Sequence, residues 1–298
     1  MHTYSSLAGE LLSAGPLVQY DAQAKRLLSH RQILAWILKC TVSEYRQASL
    51  EQIRSLIEPD FSIPDASAAP VPDRIKGDNT ESLSLDGGRI SYDLRFRALY
   101  PPQFHFPSGR LLINLEAQKS LRVKYHLSTR GVFYGARMLS DQLGSEFADS
   151  DYDRLNKVYS IWICMNAPKR IGNAMAIYRL TKQERVGHVP EEHRHYDKLT
   201  IVQIFLDSRE EYGPPGSLHR LLNVLFSPQL DYQEKERILS REYALEMTEP
   251  LRKELEQMGN MSEAILEMGL REGRKQGKKQ GLKQGRELGI RQGNAHVR

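Results

Sequence analysis

Hydrophobic positions change period several times along this chain, and each change predicts an element. Between Asp21 and Lys39, Leu27, Leu28, Ile33, Leu34, Trp36, Ile37 and Leu38 cluster at helical spacing, which predicts a first helix. Tyr45, Leu50, Ile53 and Leu56 form a second stripe over Ser43–Ile57, with Thr41 or Ser43 as cap and Pro59 as stop. Pro64, Pro70 and Pro72 mark residues 62–78 as a surface loop. Strand signals follow. Ser82–Leu85 and Arg89–Leu99, joined by Gly87 and Gly88, read as a hairpin, and Leu111–Gln118 reads as a third strand. Leu127–Leu139 reads as a helix with Val132, Phe133, Ala136 and Leu139 on its apolar side. Lys157–Cys164 is almost wholly apolar, the pattern of a strand buried on both faces. Two more strands are expected at Ala174–Leu180 and Leu199–Leu206, and a loop at Tyr212–Gly216. Helices are expected at Ser217–Phe226, Tyr232–Tyr243 and Pro250–Leu270. The leading order, α-β-β-β-α-β, predicts an α/β fold with a mixed central sheet flanked by helices.

The pattern breaks near the end. Gly269, Gly273, Gly277, Gly281, Gly285, Gly289 and Gly293 recur every four residues among Lys, Arg and Gln. Each glycine costs a helix about 1 kcal/mol relative to alanine, so this tail is expected to be a frayed helix or a disordered arm. Charge follows the same boundary. The 298 residues carry 42 Lys+Arg and 37 Asp+Glu, a net +5. Residues 271–298 alone carry +7, which leaves −2 on the first 270. A folded domain over 1–245 and a C-terminal helix with basic tail over 246–298 is the expected division.

Composition narrows the class. Hydrophobic residues make up 40% and charged residues 27%, which excludes wholesale disorder and a collagen-like chain. No apolar run approaches the ~18 residues of a membrane span. The N-terminal residues carry neither a basic n-region nor a continuous apolar h-region, so secretion is not expected. Cys40 and Cys164 read as buried free thiols, in keeping with a cytoplasmic protein.

Candidate chemistry centres on Asp93, Glu116 and Gln118. Strand side chains alternate, so Glu116 and Gln118 share a face, and an antiparallel neighbour can bring Asp93 onto it. Glu116 interrupts an apolar strand, where a charge is costly unless it is paired or holds a metal. Two carboxylates there would form a hard-oxygen site suited to Mg²⁺; a solvent-facing strand with an ordinary acid is the alternative.

At these residues the chain resembles a known family. The order of elements, with Asp93 followed 23 residues later by Glu116-Ala117-Gln118, resembles the PD-(D/E)XK nucleases in their ExQ variant. More narrowly it resembles the Rpn-type, recombination-promoting nuclease and transposase group. The helix at Asp21, the stretch around Arg130 and Tyr134, the strand at Lys157 and the glycine-repeat tail are similar as well. The resemblance spans residues 20–207 and the tail.

It implies a restriction-endonuclease-like αβββαβ core and a metal-dependent DNA endonuclease using Mg²⁺, with Mn²⁺ as the alternative ion. Asp93 and Glu116 would be ligands, with the Ala117 main-chain carbonyl as a third. Gln118 stands where the wider family has lysine, so a neutral dipole replaces a charge. Lys119 points to the opposite face, which leaves Arg95 as a candidate for the missing charge. Tyr92 stands where the family has proline. Asp21 reads as a helix N-cap or as an additional site acid, with Glu44 as the second candidate for that acid.

The remaining features stay open. Arg130, Tyr134 and Arg137 share a helical face that could contact DNA phosphates or simply carry salt bridges. His188, His193 and His195 read as a turn more readily than as a zinc site. Lys275, Lys278, Lys279 and Lys283 could add salt-sensitive DNA affinity, while the C-terminal helices could instead build a homo-oligomer. A catalytically degenerate DNA-binding or interaction protein on a nuclease-like scaffold is the alternative to an active enzyme. The expected partner is DNA, and no membrane.

Overall fold

The computed structural model describes residues 16–58, 81–83, 89–104, 109–119, 124–207, 212–227 and 229–259, together with 274, 277, 278 and 280–282. The loop at 62–78 and the Gly87-Gly88 turn lie outside the described residues. So do Lys275, Lys279 and Lys283. Lys278 is helical and exposed.

The chain begins with α1 (Pro16–Leu28), α2 (Arg31–Thr41) and α3 (Leu50–Leu56). Then come β1 (Glu81–Leu83), β2 (Arg89–Ser91), β3 (Leu94–Leu99), β4 (Arg110–Gln118), α4 (Leu127–Ser140) and β5 (Lys157–Cys164). β6 (Ala174–Arg179), β7 (Leu199–Phe205), α5 (Leu218–Phe226), α6 (Tyr232–Tyr243) and α7 (249–259) complete it. β3-β4-β5-β7-β6 form one mixed sheet, parallel through β4-β5-β7 and antiparallel at both ends. β1 and β2 pair separately. The fold is α/β, as the hydrophobic pattern predicts. Among the described residues no helix is long and apolar enough to cross a membrane.

Several expected elements divide. The first expected helix breaks at Ser29 and His30. There the Ser29 hydroxyl donates to Arg26 O at 2.7 Å, and buried His30 turns to extended backbone and meets Glu254 at 2.8 Å. Asp21 therefore lies inside α1 and is not its N-cap. The second expected helix is a single 3₁₀ turn, Ser43–Tyr45, followed by α3. Its cap is Ser49, in a capping box with Gln52, whereas Thr41 bonds back to Ile37 O and the Ser43 amide meets the Tyr159 hydroxyl. The expected Arg89–Leu99 strand is interrupted at Tyr92-Asp93, so that its first part pairs with β1 and its second joins the main sheet.

The sheet has two unequal sides. Leu111, Ile113 and Leu115 of β4 and Tyr159, Ile161 and Ile163 of β5 face the larger core, formed with α1, α2, α5, α6 and α7. That core includes Leu251, Leu255 and Met258, so it runs through residue 258. Leu112, Val158 and Trp162 face the other way, onto α4. All eight residues of β5 are buried, as expected of a strand covered on both faces. Cys164 is buried there, but Cys40 is exposed because it falls on the outer side of α2.

α4 corrects its expected face. Val132 and Phe133 are exposed, while Leu127, Gly131, Tyr134, Gly135 and Met138 are buried. The glycines let the helix backbone approach the sheet. A Cβ at Gly131 would stand 2.8 Å from Ile201 Cγ2 and 3.1 Å from Trp162 Nε1. Gly131→Val is expected to destabilise the fold by about 1–3 kcal/mol in urea melts, because both neighbours are buried and the added side chain overpacks them.

Lys157, 4% exposed, bridges Glu44 at 2.9 Å and Asp197, and the Tyr159 hydroxyl donates to the same Glu44. Lys157→Met leaves two buried carboxylates without their cation and is expected to destabilise by about 3–5 kcal/mol. A melt within error of wild type would contradict it.

Candidate active site

The register of β3 on β4 pairs Leu94 with Leu115, which sets Asp93 beside Glu116. The two acids then lock through each other's backbone. The Asp93 amide donates to Glu116 Oε1 at 3.1 Å, and the Ala117 amide donates to Asp93 Oδ2 at 2.9 Å. Asn114, two residues before Glu116 on the same strand face, donates to Glu116 Oε1 at 3.3 Å. The pair sits at the carboxyl end of β4, an ordinary place for chemistry in a parallel sheet.

Electrostatics at this pair are strained. Glu116 is 4% exposed. Burial first, then the Asp93 charge, push its carboxyl up to about 8, against the Asp93 amide, Arg130 and Asn114. Asp93 is ion-paired with Lys25 of α1, Nζ to Oδ1, at 3.0 Å. Loss of water at its carboxylate and the Asp93 charge raise the Asp21 pKa, while Lys119 and Lys25 pull it down. Asp21 thus stands in the electrostatic field of the pair.

Not all expected residues converge. Arg130 does: its guanidinium donates to Tyr134 OH at 2.7 Å, Tyr125 OH at 2.9 Å and Gln118 Oε1 at 3.4 Å. It also lies 5.1 Å from the Trp162 ring. Tyr134 is buried, edge-on to Tyr92 and Trp162, rather than part of an open face. Arg137 and Arg95 both meet Asp141, each at 3.8 Å. Lys119 Nζ stands 3.8 Å above the Tyr20 ring. Glu44 lies at the other end of the sheet, where Lys157 opens β5, and lines a cavity of about 760 Å³ with Tyr100, Asp197 and Lys198. The three histidines each meet a carboxylate four residues away: His188 with Glu184, His193 with Asp197 and His195 with Glu191. Among the described residues no group of three or more His, Cys, Asp or Glu could hold a metal.

Two residues that join the site, Lys25 and Asn114, lie outside the Asp93, Glu116 and Gln118 pattern. Both carried a signal. Lys25 follows Asp21 by one helical turn, and Asn114 precedes Glu116 by one strand repeat.

A divalent ion fits this donor set. Two hard carboxylates lie together, each fixed by an amide from the segment that carries the other. No family model, curated protein or solved structure matches the chain.

Folding raises the Glu116 pKa from 4.5 to about 8, so between those values the native state holds a proton that the unfolded chain has released. Stability then falls as pH rises through that window. Glu116→Gln is expected to melt roughly 2–4 °C above wild type at alkaline pH in metal-free buffer, with the gap closing in acid. A pH-independent gap would contradict it.

Proposed function

We propose that this chain is a Mg²⁺-dependent DNA endonuclease that hydrolyses phosphodiester bonds, of the recombination-promoting type. The reading rests on the reciprocal lock between Asp93 and Glu116 at the end of β4. The β3-β4-α4-β5 succession, with α4 crossing between parallel strands, agrees with a restriction-endonuclease-like core. Asp93, Glu116 and the Ala117 carbonyl would hold the ion, Mg²⁺ or Mn²⁺. When bound, such an ion activates water and offsets charge on the phosphate. Around it the chain's own groups orient and neutralise. Asn114 and the Asp93 amide hold Glu116, and Arg130 holds Gln118. Lys278 and the rest of the basic tail would add sequence-independent affinity for DNA.

A second reading, a DNA-binding protein without catalysis, is favoured by one observation: Asp93 already has a cation in Lys25. The two separate cleanly. Wild type is expected to nick supercoiled plasmid with Mg²⁺ and stop with EDTA. Asp93→Ala and Glu116→Ala are each expected to slow nicking by at least about 100-fold, with circular dichroism unchanged. Equal cutting by wild type and both variants would overturn the site, and EDTA-indifferent binding without cutting would favour the second reading.

A further inference from the structure

Gln118 brings no charge to the acid pair, and the cations around it are committed unequally. Arg95 turns to Asp141, and Lys119 lies over Tyr20 and acts electrostatically on Asp21. Arg130 is wedged among Gln118, Tyr125 and Tyr134. Lys25 is different: its ammonium contacts a site carboxylate directly, at 3.0 Å from Asp93 Oδ1. The contact is partly solvated, with 35% of the Lys25 side chain and 24% of the Asp93 side chain exposed. A flexible side chain in such a contact can leave it at small cost. Its alternative partner is at hand. Asp21 precedes Lys25 by four residues on α1, an acid-to-lysine spacing that favours pairing on a helix, and it acts electrostatically on Lys25.

We propose that Lys25 is a tethered counter-cation of the acid pair: it occupies Asp93 when no metal is bound, yields to a divalent ion, and remains beside Asp21 as the positive charge that Gln118 does not supply. Asp21 then serves as a positioning residue for Lys25 rather than as a metal ligand. The inference rests on the metal-dependent reading above. Its first half, displacement, has a readout that does not involve cleavage.

Mn²⁺ binding to the full chain by titration calorimetry, for wild type, Lys25→Met and Lys25→Gln, tests it. Removing the competing ammonium is expected to tighten Mn²⁺ binding roughly five- to tenfold in both variants. A merely structural role for Lys25 would loosen the site and weaken binding, so the direction of change discriminates. Unchanged or weaker Mn²⁺ affinity in both variants, or no Mn²⁺ binding by any of the proteins, overturns the displacement. At saturating Mn²⁺ the same variants are expected to nick supercoiled DNA at least about tenfold more slowly. Nicking at the wild-type rate overturns the charge-supplying role. Tighter Mn²⁺ binding in the variants of a protein that never cuts DNA sustains displacement while overturning the endonuclease reading and the charge-supplying role with it.

Discussion

The alignment of β3 on β4 is the constraint on which the site depends. Both strands carry apolar side chains toward the larger core, Leu94, Phe96 and Ala98 on one and Leu111, Ile113 and Leu115 on the other. A slip of one residue would turn every one of these to the wrong face. Hydrophobic burial therefore sets the register, and the register sets Asp93 against Glu116. Once there, each carboxylate accepts an amide from the segment that carries the other, so the geometry of the acids is part of the strand pairing itself.

That placement opposes stability. Glu116 is deprived of water and lies beside a second acid, and its raised pKa expresses the conflict. Two cations from different layers moderate it. Lys25 reaches in from α1, on the larger-core side, and Arg130 from α4 on the other. The arrival of Arg130 depends on the glycines of α4, which bring that helix close enough for Tyr134 and Trp162 to pack edge-on beneath the guanidinium.

The opposite end of the sheet treats charge differently. There Lys157 lies between Glu44 and Asp197 with the Tyr159 hydroxyl beside them, so the cation is central and the carboxylates surround it. Such a closed arrangement suits holding strands together, and it draws Glu44 away from any part in the acid pair. The same residue types serve as a structural hub at one end and as a close acid pair at the other. What differs is whether a cation with buried geometry completes the set.

Much of this was legible in the amino-acid sequence. Period and composition sufficed for the α/β class, for the doubly buried β5, and for the helices at 218–226 and 232–243, since each depends on local spacing of apolar residues. Alternation along β4 also sufficed to place Glu116 and Gln118 on one face. Tertiary contact decided the rest. The break at His30 depends on Glu254, 224 residues away. The buried face of α4 follows its glycines because the sheet is close, whereas hydropathy alone points to Val132 and Phe133. Lys25 joins Asp93 across 68 residues, whereas Arg95, two residues from Asp93, meets Asp141. Hydrophobic period is a property of neighbours in the chain, so the sequence specifies elements and faces. The pairing of charges depends on distances through space, and only the folded sheet and its helices set those.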